Sequence, residues 1–476
     1  MKQVVFNYCC LPIYYFLLPV VFCLSFSSCQ KDSFITSKNA QLSTSVDSLK
    51  YDTVFTSVGS ITKSFEINNP NNQKLLLNKV KLMGGSSSAF KINVNGVAST
   101  EVSNIEVAAN DSIYVFVTVN INPNNSNLPF IVKDSILIMY NGNNRFVQLE
   151  AYGQNAHFLK NRIIKGNVSW TNDMPYVLLG SLKIDTTASL IIEPGCKIYS
   201  HADAPFIVDG TLTINGTKKE TVIFNGDRVD TDYKGLPASW PGIYFRGSSK
   251  NNILTFAIIK NAYQAVVVEK PSVNANPKLT LHQCIVDNAF DVGLLGVNSS
   301  LQADNSLITS CGTNVSFTYG GNYNLTNCTI AAYSNNYIIH KKPVLVLTNF
   351  ASLGGSSLTA DLNGVFRNCI FWGDNTTVEN EVTVNREGAN AFSVLFDHCL
   401  YKAKNDPLNS TIIETIKNID PQFDSIDVSK QFYNLHITKD GAPGINKGIN
   451  GTGFVKDLED NNRAVGLTDI GCYEKQ

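Results

Sequence analysis

His282-Gln-Cys-Ile-Val286 is echoed by Asp304-Asn-Ser-Leu-Ile308, Thr326-Asn-Cys-Thr-Ile330, Arg367-Asn-Cys-Ile-Phe371 and Asp397-His-Cys-Leu-Tyr401, with Thr255-Phe-Ala-Ile-Ile259 as a weaker copy. The small residue falls at 257, 284, 306, 328, 369 and 399, and the steps from 284 to 306 and from 306 to 328 are equal. A recurring unit this short cannot bury its own apolar face, and its repetition is the signature of a solenoid. Runs of three to five apolar or β-branched residues ending in Gly, Asn or Asp continue on both sides of it, as in Ser189–Gly195 and Phe206–Thr217. Short strands with sharp turns between them predict a parallel β-helix from 158 to 476. Equivalent residues then stack about 4.8 Å apart. Ala257, Cys284, Ser306, Cys328, Cys369 and Cys399 are expected as one inward ladder, since a free Cys behaves as a small buried hydrophobe. The polar residues Gln283, Asn305, Asn327, Asn368 and His398, each just before a ladder member, are expected to mark the turn. The longer steps, from 328 to 369 and from 369 to 399, imply an inserted turn or loops.

Composition agrees with an all-β chain. Of 476 residues, 43% are hydrophobic and only 16% charged, and the polar surface draws on Asn, Ser, Thr and Gly rather than on strong helix formers. The net charge is −1, with no basic run, which excludes a nucleic-acid partner as the leading reading.

Met1–Ser28 reads as an export signal: Lys2, an apolar stretch from Leu11 to Leu24, then Ser25, Ser27 and Ser28 before Cys29. The ending Phe26-Ser-Ser-Cys29 resembles a bacterial lipobox, which implies acylation of Cys29 and attachment to a membrane. Residues 29–45 read as a flexible tether, and Gln30-Lys31-Asp32 resembles the export signal of Bacteroidota surface lipoproteins. That resemblance implies the outer face of the outer membrane. Seven cysteines remain beyond the signal and anchor, an odd number with no CxxC spacing, so neither a full disulfide framework nor a metal site is expected.

From 46 to 157, alternating segments such as Ala89–Val94 and Ser112–Val117 are split by Asn-Pro-Asn-Asn and Asn-Gly-Asn-Asn. They predict an antiparallel β-sandwich. The segment resembles the immunoglobulin-like domains of Bacteroidota lipoproteins, which implies a spacer. The ending Asp469-Ile-Gly-Cys-Tyr-Glu474 resembles the closing segment of exported right-handed β-helix proteins of the pectin-lyase-like superfamily, which implies a last rung and cap. A calcium site of Asp457, Asp460 and Asp469 is disfavoured by their spacing. The expected fold is therefore an immunoglobulin-like sandwich followed by a right-handed parallel β-helix.

Chemistry is harder to find. The elements expected of polysaccharide lyases and hydrolases, a cationic base beside clustered acids or a carboxylate pair, are not recognised. The densest polar constellation holds Asp227, Arg228, Asp230, Asp232, Tyr233, Trp240 and Tyr244. It resembles a segment of Bacteroidota β-helix lipoproteins, and aromatic faces beside acids and Arg suit a sugar. The plainer alternative is an Asp–Arg-pinned loop with Trp240 packed over the coil. Asp-Ser/Thr triplets resembling a Bacteroidota O-glycosylation sequon mark Ser48, Thr53, Ser112, Ser135, Thr186 and Ser425. The expected function is a non-enzymatic surface lipoprotein binding glycan or a protein partner, with no cofactor. The alternatives are a carbohydrate-active enzyme and an accessory subunit of an outer-membrane complex.

Overall fold

The computed structural model describes residues 33–55, 60–122, 130–230, 233–374, 377–463 and 466–476. The signal over 1–28 and Cys29 lie outside them, as does Asp232. The described residues form two compact units, one of residues up to 122 with 130–153, the other from 154 to 476.

The first unit is a sandwich of two five-stranded antiparallel sheets. One holds Ser43–Thr44, Lys63–Asn69, Asp111–Val119, Phe90–Val94 and Val97–Ala98; the other holds Ser48–Phe55, Asn143–Gln154, Phe130–Tyr140, Leu75–Leu82 and Glu101–Val107. Strict alternation drives the fold. In Asp111–Val119, Ile113, Val115, Val117 and Val119 are buried, while Tyr114 and Phe116 between them face out. The predicted tether over 29–45 needs correction. Ala40 and Leu42 are buried in the sandwich core, and the Ile35 amide donates to the Lys74 carbonyl at 2.8 Å. Their alternation is hidden in a Ser/Thr-rich stretch, so composition alone reads as linker.

The second unit is a parallel β-helix whose sheet contains 26 strands among the described residues. Each turn contributes three strands, for example Asn252–Thr255 on a first face, Ala257–Lys260 on a second and Gln264–Glu269 on a third. Two turns fuse the third-face and first-face strands into the long Val292–Asp304 and Thr313–Thr326. Inward positions fill one continuous apolar core.

The small-residue ladder forms as the repeat predicts. Ile258, Ile285, Leu307, Thr329, Ile370 and Leu400 stack in register, which stacks the preceding residues from Ala257 to Cys399 as well. All six are buried. Burial holds the Cys284 thiol up at about 12. The residue before each rung member takes the left-handed conformation, with φ of 47°, 51°, 47°, 53°, 50° and 50° from Phe256 to His398. Among residues with a side chain, Asn is one of those that tolerate that conformation best. Asn368 Nδ2 donates to Asn327 Oδ1 at 2.9 Å, and Asn327 Nδ2 to Asn305 Oδ1 at 3.4 Å. The long steps from 328 to 369 and from 369 to 399 contain no extra turn, because Thr329 pairs Ile370 and Ile370 pairs Leu400. The first is filled by loops and the hairpin Phe350–Leu353/Ser356–Thr359.

The closing segment is not a last rung. The coil ends at Thr411–Ile413 and Ile416–Lys417, and the chain then runs back along its side. Leu435, Ile437, Leu458, Ile470 and Cys472 pack on the outward faces of Leu307, Ala331, Ile370 and Leu400. Period-two alternation makes the residue after each inward ladder member point outward, so the largely aliphatic column Ile285, Leu307, Thr329, Ile370, Leu400 needs a cover. This strap supplies it. Arg463 fastens it: its Nε donates to Asn305 Oδ1 at 2.7 Å and its Nη1 lies 3.1 Å from Glu474 Oε2. Asp457 accepts amides of Glu459, Asn461 and Glu474, and Asp469 those of Asn446 and Lys475. These carboxylates cap turns of the strap.

Candidate ligand-binding face

The constellation predicted to bind sugar divides in two. Asp227 follows the strand Val222–Gly226 and is buried, its side chain 5% exposed, with His201 Nδ1 2.7 Å from Oδ2. Burial raises its carboxyl above the usual range, and the His201 contact works against that. Arg228 Nε bonds Asp230 Oδ2 at 3.0 Å, and its guanidinium stacks 3.8 Å from the Tyr233 centroid. Arg228, Asp230 and Tyr233 thus pin one another in the loop, while Asp227 is held by His201 outside it.

Trp240 departs from the sugar-stacking expectation. It is 1% exposed, lies in the coil core against Phe224, and donates Nε1–H to the Lys260 carbonyl at 2.9 Å. An indole in this position has no face open to a ligand. The hydrophobic run that follows it is a strand, so the turn before it swings the ring inside. Gly242 makes the next step possible: its φ is +124°, and a Cβ there would meet the Gln264 carbonyl oxygen at 1.7 Å. Tyr244 is half-buried on the coil exterior, its hydroxyl donating to the Pro241 carbonyl at 3.1 Å. Of the triplet residues, Ser48, Thr186 and Ser425 are exposed, while Thr53, Ser112 and Ser135 are half-buried.

A cleft that the motif search does not find lies on the first face of the coil. Its cavity volume is about 580 Å³. Its floor is a straight column of outward side chains, Ser300, Asn322, Asn363 and Ser393, each paired in register with the next. Gln302 and Asn324 run beside it. Asn363 Nδ2 donates to Asn322 Oδ1 at 2.9 Å, which leaves further amide donors and acceptors of both exposed side chains directed outward. Asp361 is the one charged side chain lining the cleft, and its Oδ1 already accepts the Ala391 amide at 3.0 Å. Phe392 and the prolines at 271 and 277 add apolar surface.

The segment 271–277 forms one wall, and a buried lysine holds its base. Lys278 Nζ donates to the carbonyls of Glu269, Gly247 and Arg246 at 2.7, 3.0 and 3.2 Å. Burial depresses its pKa to about 8, so it is still mostly an ammonium at neutral pH. Three carbonyl acceptors compensate its desolvation. The signal for this face was present in the sequence as a Ser or Asn at one matching position of successive strands, Ser300, Asn322, Asn363 and Ser393. Reading it required the register, because a slip of one residue sends those side chains inward. Among the described residues, no group of three or more His, Cys, Asp or Glu is placed to hold a metal ion.

No family model and no curated protein matches this chain. Among solved structures, a protein of unknown function from Porphyromonas gingivalis W83 is similar at 13% identity over 27% of this chain and 50% of that one, with a TM-score of 0.19. A family 123 glycoside hydrolase from Clostridium perfringens is similar at 11% identity over 24% of this chain and 26% of that one, TM-score 0.18. The catalytic unit of an α-1,3-glucanase from Streptomyces thermodiastaticus is similar at 8% identity over 75% of this chain and 88% of that one, TM-score 0.17. The chain thus spans about half and about a quarter of the first two. Scores of this size carry neither fold nor activity across.

Proposed function

We propose that this protein is a non-enzymatic lipoprotein of the outer-membrane surface, acylated at Cys29, whose coil binds a neutral glycan in the first-face cleft. The observation that carries the reading is the register-aligned column of hydroxyl and amide side chains in an almost uncharged concavity. Amides offer donors and acceptors to sugar hydroxyls, and a charge-poor site has little to attract an ionic ligand. The cleft lining offers one carboxylate where glycoside hydrolysis uses two, which favours binding over turnover. The sandwich acts as a spacer in this reading.

Affinity electrophoresis of the full-length protein through soluble neutral and anionic polysaccharides tests the glycan part. The Asn322→Ala/Asn363→Ala double variant is expected to weaken retardation about thirtyfold, since two lost hydrogen bonds at about 1 kcal/mol each sum to about 2 kcal/mol. Equal retardation of wild type and variant, or release of reducing ends from the polysaccharide, would overturn the binding-only reading of the cleft. For the anchor, metabolic labelling with an alkyne fatty acid should mark the wild type and not Cys29→Ser; labelling of both, or of neither, would refute acylation at Cys29.

A further inference from the structure

Tyr263 and Phe290 occupy neighbouring places on successive turns at the corner leading into the third face. Their amides bond the carbonyls of Trp240 and Ala262 at 2.7 and 2.9 Å. Both are large rings in the open, 45% and 49% exposed, with centroids 6.0 Å apart and planes 24° from parallel. The next turn brings Gly312 to this corner, its amide bonded to the Ala289 carbonyl at 3.0 Å. Only glycine fits there, because a Cβ would lie 2.3 Å from the Phe290 carbonyl oxygen. The aromatic stack therefore stops at Phe290, with no side chain at Gly312 to continue it.

Polar groups of both kinds border the rings. Gln264 Nε2 donates to Asp291 Oδ2 at 2.8 Å, and Lys342 Nζ lies 4.0 Å from Asp291 Oδ1. Size decides what such a patch suits. Two half-exposed aromatics offer on the order of 200 Å² of apolar surface, against roughly 800 Å² that each partner contributes to a stable protein interface. A ligand of one or two rings, with an apolar face and polar edges, matches both the area and the rim.

We infer that Tyr263 and Phe290 form a second carbohydrate site, in which a pyranose ring stacks on the aromatic ledge while Asp291, Gln264 and Lys342 bond its hydroxyls. This site is separate from the first-face cleft and stands or falls without it. It also gives the motif around Trp240 a role: the buried indole and Gly242 set the backbone on which the ledge is built.

Affinity electrophoresis of full-length protein through dextran, soluble starch, xylan and galactomannan provides the test. Phe290→Ala and Tyr263→Ala are each expected to weaken retardation by the bound polysaccharide at least fivefold. Phe290→Trp should keep binding, and its emission should shift on adding that polysaccharide, which guards against a variant that merely misfolds. If the cleft variant Asn322→Ala/Asn363→Ala binds normally while Phe290→Ala does not, the ledge stands and the cleft reading falls. Wild-type retardation by none of the four, or unchanged retardation of both alanine variants, would overturn the ledge.

Discussion

Asn368 does three things with one side chain. It holds a left-handed turn, continues the amide ladder to Asn327, and exchanges two hydrogen bonds with the backbone of Ile449 in the strap, at 3.0 and 2.8 Å. The same turn position carries His398 one rung on, whose Nδ1 lies 2.7 Å from Asp397 Oδ1. Beside the ladder, His282 Nδ1 sits 2.5 Å from Asp304 Oδ2. That carboxylate holds the imidazole above its ordinary range, with burial opposing. A base whose pKa rises on folding adds stability that is complete below its unfolded value, about 6.5, and is lost as pH climbs through the folded value. The melting temperature should therefore fall as pH climbs above about 6.5, and His282→Asn should flatten that slope; an unchanged slope in the variant would count against the pair. At this scale the sequence was informative where a residue type answers to one backbone demand, as with Asn and the inward Cys. It misled at Trp240, because a Trp among acids reads the same whether its ring turns in or out, and the choice is made by the strand that follows.

The strap is the element whose position the sequence concealed. Its alternating apolar residues look like one more strand, and nothing local says which surface they cover. The deciding signal lay elsewhere, in the residue that follows each inward ladder member and must face outward, aliphatic at Ile285, Leu307, Ile370 and Leu400. Arg463 is the strap's main fastening, 4% exposed and bonded to Asn305, Glu474 and the Gly471 carbonyl, the last at 2.8 Å. Removing one member of a buried charge pair leaves the other uncompensated and costs about 3–5 kcal/mol. Arg463→Met should lower the urea midpoint accordingly and open the segment after 440 to limited proteolysis. Double replacement with Glu474→Gln should recover part of the loss, since the orphaned carboxylate goes with it. A single variant as stable and as protease-resistant as wild type would show that apolar contact alone holds the strap.

Across the coil, the seven cysteines of the described residues are free and buried, and they sample it from Cys196 near its start to Cys472 in the strap. Burial holds the thiols of Cys196, Cys284 and Cys472 at about 11, 12 and 12, so they are neutral as well as hidden at pH 8. Alkylation should therefore report opening of the structure. In a solenoid each turn touches only its neighbours, and a coil can open in parts. The strap changes that for some turns: it bonds Gln283, Asn305, Thr329 and Asn368, which lie on successive turns. Those turns cannot part until the strap leaves. Cys196 lies on an earlier turn, beyond the aliphatic column the strap covers. In rising urea, mass spectrometry of iodoacetamide-treated protein should find Cys196 modified first. Cys284, Cys328, Cys369 and Cys472 should follow together at a higher common midpoint, and Arg463→Met should bring that midpoint down toward the Cys196 value. Modification of all of them at one midpoint would mean that stacking between turns, rather than the strap, sets the cooperative unit.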